Sequence, residues 1–187
     1  MPSPVESTGP GKRFPASRLA LLAVMLACAL ALGLAERAMP PVAALPGVRL
    51  GLPNVAILLA LYLFSLPETI ILALCKCVML SLLSGGSFPS LLFSLSGTSL
   101  SLIAMVPLVR LSRGRVGPLG VSVSGAVCHN IGQMLCHAAL MGVFLTPYLP
   151  LMLVSGAVAG VATGLVVAAI HPRLKRFGRI LYRDRVP

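Results

Sequence analysis

The run His129-Asn130-Ile131-Gly132-Gln133 sets three large polar side chains inside an apolar stretch, Leu119 to Phe144, long enough to cross a bilayer. Polar groups in hydrocarbon are expensive and are kept for a reason. On a helix His129 and Gln133 share a face, Asn130 lies beside them, and Ser122, Gly125 and His137 extend the stripe. The pattern fits the polar lining of a cavity inside a helix bundle. It also fits hydrogen bonds that knit helices together, each contributing under about 1 kcal/mol on average. Three adjacent polar groups exceed what packing requires, which favours the cavity.

Lys76 is the second anomaly. It stands near the middle of an apolar run from Glu68 to Leu83, where a lysine costs roughly 2.5–3.5 kcal/mol on insertion scales. Two readings fit: a structural ion pair with Glu36 or Glu68, or a cationic anchor for an anionic ligand. Glu68 lies on the same helix, roughly 12 Å away along the axis, too far for a direct bond. Glu36 reaches only if the loop after it folds inward.

Other chemistry is disfavoured. Cys128-His129 and Cys136-His137 form a repeat, but its members are roughly 12 Å apart on a helix, whereas zinc ligands sit at about 2.0–2.3 Å from one ion. No metal site is expected. The five cysteines all fall in apolar runs and read as small packing residues. The acids are Glu6, Glu36, Glu68 and Asp184. None is placed to orient a histidine in a Ser-His-Asp relay, and a single Asp cannot form the carboxylate cluster that holds magnesium in prenyl or phosphoryl transfer. Neither a G-x-S-x-G nor a P-loop sequence occurs. The chain therefore reads as non-enzymatic, with no cofactor.

The elements that must carry these residues are membrane helices. The chain is 57% hydrophobic and 10% charged over 187 residues, with a mean hydropathy of +0.98, too apolar for a soluble domain of this size. The net charge of +11 does not point to nucleic acid. The bases cluster at the ends of apolar runs: Lys12, Arg13 and Arg18; Arg110, Arg113 and Arg115; then Arg173, Lys175, Arg176, Arg179, Arg183 and Arg185. That is the positive-inside signature and also attracts anionic lipid.

The expected class is an all-α membrane protein, a compact bundle of about six transmembrane helices spanning residues 18–172. Residues 1–17 read as a disordered cytoplasmic lead and 173–187 as a basic cytoplasmic tail, with a short amphipathic surface helix after His171-Pro172. The spans are Leu19–Ala35, Gly51–Leu66, Glu68–Leu83, Phe88–Val109, the stretch bearing His129, and Tyr148–Ile170. Both termini face the cytoplasm across the inner cell membrane. Ala23, Ala27, Ala31 and Ala35 make a small-residue stripe on the first span, and Gly156, Gly160 and Gly164 a stronger one on the sixth. Such rows let helices approach closely, although alanine is also simply a good helix former.

The strings Pro46-Gly47-Val48-Arg49-Leu50-Gly51-Leu52-Pro53-Asn54, Phe93-Ser94-Leu95-Ser96-Gly97, and Gly120 to Ala126 leading into His129-Asn130-Ile131-Gly132-Gln133 resemble the Gx transporter family. Its members are also labelled heptaprenyl diphosphate synthase component I. Pro53 departs from the alanine expected there. The family is similar to the substrate-binding (S) components of energy-coupling-factor transporters. The resemblance implies a ligand pocket near the outer face and a small-residue face on the first helix that docks a transmembrane coupling subunit driven by ATPases. The expected pocket uses Asn54, Lys76, His129, Asn130 and Gln133, with Glu36 and Arg49 above it. The expected function is capture of a small anionic or amphipathic molecule for uptake. The alternative is a non-catalytic membrane subunit supporting a soluble polyprenyl diphosphate synthase.

Overall fold

The computed structural model describes residues 16–38, 52–83, 85–86, 88–112, 115–142, 147 and 149–182. These form six helices: α1 Ala16–Ala38, α2 Asn54–Leu63, α3 Leu66–Leu83, α4 Phe88–Leu111, α5 Pro118–Met141 and α6 Leu149–Tyr182. There is no strand among the described residues. α1, α3, α4 and α6 each contain a stretch long and apolar enough to cross a membrane. The fold is the expected compact all-α membrane bundle.

Its centre is α2, and α2 is short. The sequence Asn54-Val-Ala-Ile-Leu-Leu-Ala-Leu-Tyr-Leu63 is apolar on every side, and Val55 to Leu61 are all buried. A helix apolar all round belongs inside other helices, and α1, α3, α4 and α6 all pack on this one. Ten residues rise only about 15 Å, half of a hydrocarbon core about 30 Å thick. The expected span of residues 51–66 is trimmed at both ends. Pro53 stands at the N-cap, and Phe64 is extended, with φ −119° and ψ 171°.

The turn into α3 is a capping box, Ser65-Leu66-Pro67-Glu68. The Glu68 carboxylate accepts from the Ser65 N–H at 2.8 Å and from the Ser65 hydroxyl at 2.6 Å. Arg18 of α1 pairs with the same oxygen at 3.5 Å. The start of α1 is thereby tied to the α2–α3 turn. Higher up, α1 packs inward through Met25, Ala29 and Gly33, while Ala23, Ala27 and Ala31 face outward.

α5 lies between α4 and α6 and makes the most extensive helix contacts in the molecule. Glycines set the spacing. A Cβ on Gly132 would come within 2.6 Å of the Ser96 carbonyl oxygen of α4. On α6, a Cβ would sit 2.7 Å from the Val123 Cα at Gly160 and 2.8 Å from the Leu119 Cα at Gly164. Backbone cannot step aside as a side chain can, so these residues hold the helices at glycine distance. The Ser122 and Thr163 hydroxyls, 2.6 Å apart, join α5 to α6 at the same level.

Two boundaries differ from the sequence expectation. α1 begins at Ala16, inside the lead assigned to residues 1–17. α6 passes through His171-Pro172 without a break and continues to Tyr182, so the basic segment is not a separate surface helix. A proline removes one backbone bond and crowds the preceding turn, but the bonds beyond it can still form.

Candidate functional site

Lys76 projects from α3 about 15 Å along the axis from Leu66 and is 3% exposed. Its ammonium donates to Asn54 Oδ1 at 3.1 Å and to Thr98 Oγ1 at 3.4 Å. Both partners are neutral. Asn54, the first residue of α2, is half-buried there. Thr98 comes from the hydroxyl-rich face of α4 and is 6% exposed. The neighbouring Cys77 thiol lies 3.3 Å from the same Thr98 oxygen and 3.5 Å from the Ser94 carbonyl.

Glu36, near the end of α1, does reach inward. One of its carboxylate oxygens accepts from the Leu52 N–H at 3.1 Å. Leu52 immediately precedes the N-cap of α2, where no side-chain cap bond is made by Pro53. A carboxylate at this end complements the positive end of the helix dipole. Glu36 is also the acid whose charge bears on Lys76. Arg49 lies outside the described residues.

The α5 motif is arranged differently. The Asn130 amide donates to the Met152 carbonyl of α6 at 2.6 Å. The His129 ring lies against Gly97 of α4, 2.8 Å from where a Cβ would stand. Gln133 is half-buried on the same helix. Within α4, Gly97 faces α5 while Thr98 faces Lys76. The helix therefore stands between the two polar groups. The structure brings Asn54 and Lys76 together and sets Glu36 nearby; Asn130 is aimed at α6, away from them. Further along α5, His137 stacks on Phe93 of α4 with ring centroids 6.0 Å apart.

Sequence reasoning missed Thr98. Its only signal was membership of the run Ser94, Ser96, Thr98, Ser99 and Ser101, which does not say which hydroxyl faces α3. Among the described residues, no three His, Cys, Asp or Glu side chains converge as metal ligands would.

An all-helical bundle with four helices long and apolar enough to cross a membrane, enclosing a buried lysine, defines the class as an all-α membrane protein. More particularly, the chain belongs to the heptaprenyl diphosphate synthase component I family, which matches residues 25–170. By its description the family is component I of a synthase. Comparison with curated proteins and with solved structures found no match.

Proposed function

We propose that this protein is a multipass membrane component that captures a small anionic or amphipathic molecule for uptake, as S components of energy-coupling-factor transporters do. The supporting observation is Lys76, a cation buried in an apolar bundle and held by two neutral oxygens. A structural ion pair would put a carboxylate in direct contact, because a buried charge without a close partner is costly. A ligand anion fills that role on this reading. The site is Asn54, Lys76 and Thr98, with Glu36 nearby. His129, Asn130 and Gln133 then hold α4, α5 and α6 at the spacing the site needs. Outward-facing Ala23, Ala27 and Ala31 offer a smooth face to a transmembrane coupling subunit. The basic clusters put both termini in the cytoplasm.

Native mass spectrometry of the full chain released from membranes is the direct test. The expected result is a co-purified small anion, lost in Lys76→Met and retained in His129→Ala. Retention of the same ligand by Lys76→Met would overturn the assignment.

The family description favours a second reading, a non-catalytic membrane subunit associated with a polyprenyl diphosphate synthase. Pull-down from membranes separates the two. Coupling and ATPase subunits support the first, and a soluble, carboxylate-rich prenyltransferase supports the second.

A further inference from the structure

We infer that the Lys76 site is built to select an oxygen-rich anionic head group, a carboxylate or phosphate, and that Thr98 is the residue that fixes this selection. The inference rests on the reading of Lys76 as a ligand anchor and goes on to specify what the anchor accepts.

The argument is a count of hydrogen-bonding capacity. A lysine ammonium has three donors and no acceptor. Two are spent on Asn54 Oδ1 and Thr98 Oγ1. Asn54 Oδ1 has thereby committed one of its two lone pairs, and the amide keeps its N–H groups. Thr98 Oγ1 accepts from Lys76 and receives the Cys77 thiol at 3.3 Å. What it retains is its hydroxyl proton. The capacity left over on the three side chains is therefore the third ammonium N–H, the Asn54 NH2, the Thr98 O–H and one lone pair of Asn54 Oδ1. All but that lone pair are donors, and they belong to residues that already touch one another.

Only a group presenting acceptors satisfies them together. A carboxylate or phosphate does so and also neutralises the buried charge. An alcohol of the same shape brings lone pairs but leaves the charge unbalanced. An amine sets donors against donors and charge against like charge. Sites of this kind discriminate strongly because a mismatched ligand leaves buried polar groups unpaired. Thr98 matters twice: its lone pairs orient the ammonium, and its proton meets the ligand. Among the described residues, Thr98 is the α4 hydroxyl bonded to Lys76.

Isothermal calorimetry on the full-length protein in lipid nanodiscs, with empty nanodiscs as reference, tests this. The probes are octyl phosphate, octanoate, octanol and octylamine, which share a tail and differ in head group. Octyl phosphate and octanoate should bind at least about tenfold more tightly than octanol, with octylamine unbound. Thr98→Val, which keeps shape and removes the hydroxyl, should weaken the two anions about tenfold and leave octanol unchanged. Thr98→Ser should restore them. Equal binding of octanol or octylamine, or unaltered anion binding in Thr98→Val, overturns the inference and leaves the capture reading standing. Failure of all four probes to bind the unmodified protein overturns both.

Discussion

At the scale of single residues, the buried lysine dictates its own test. Replacing Lys76 by methionine removes a charge that is costly to bury and leaves one Asn54 acceptor unpaired. The two effects oppose each other, so thermal unfolding in detergent should change by no more than about 2 kcal/mol. Loss of anion binding with folding intact then reports on the ligand role rather than on stability. Glu36 supplies the reciprocal experiment. Its carboxylate bears on Lys76, so an incoming anion meets repulsion from it. Glu36→Gln keeps an acceptor for the Leu52 N–H and removes that charge. Anion affinity measured by calorimetry should rise by about tenfold in low salt.

At the scale of helices, spacing is set by where backbone meets backbone. Gly160→Leu drives a side chain into the Val123 Cα region, where nothing can rotate away, and should cost at least about 3 kcal/mol or prevent assembly, seen as loss of the monodisperse peak on size exclusion. Gly33→Ala is the milder contrast, because its closest neighbours are the ends of the Leu80 side chain. The Asn130 bond to the Met152 carbonyl is a single interhelical hydrogen bond. Asn130→Leu should lower stability by about 1 kcal/mol, and a larger loss of ligand than of stability would count against the assignment of Asn130 to packing. The Ser65-Glu68 capping box ties three elements together at one end. Glu68→Ala removes the cap and the Arg18 pair, and should destabilise by about 1–2 kcal/mol in a thermal melt.

At the scale of the whole molecule, α2 with its ten residues is only long enough to cross about half of a hydrocarbon core. It is carried by its neighbours rather than by lipid, which is why its buried ends need Glu36 at one side and the Phe64 N–H bond to the Ala60 carbonyl at the other. On the proposed topology, with both termini cytoplasmic, Pro147→Cys in a chain freed of its native cysteines should label with an impermeant maleimide in intact cells. Arg115→Cys should label only after permeabilisation. The opposite pattern would invert the topology proposed from the charge clusters.

The amino-acid order by itself determined the class, because an apolar content this high with bases confined to the ends of apolar runs has no soluble solution. It also exposed Lys76 and His129–Gln133, since a polar residue in an apolar run is visible without knowing its neighbours. The unusual shortness of α2 was half legible, through Pro53 and Pro67. What only the tertiary structure decided is which polar groups share a space. Lys76 and Thr98 are far apart in sequence, and no periodicity predicts that Thr98 faces α3 while Gly97 faces α5. Glycine contacts fix the rotation of α4 and α5, and that rotation turns Asn130 toward α6 and away from the lysine. Helical period orients a side chain relative to its own helix; packing alone sets what stands opposite.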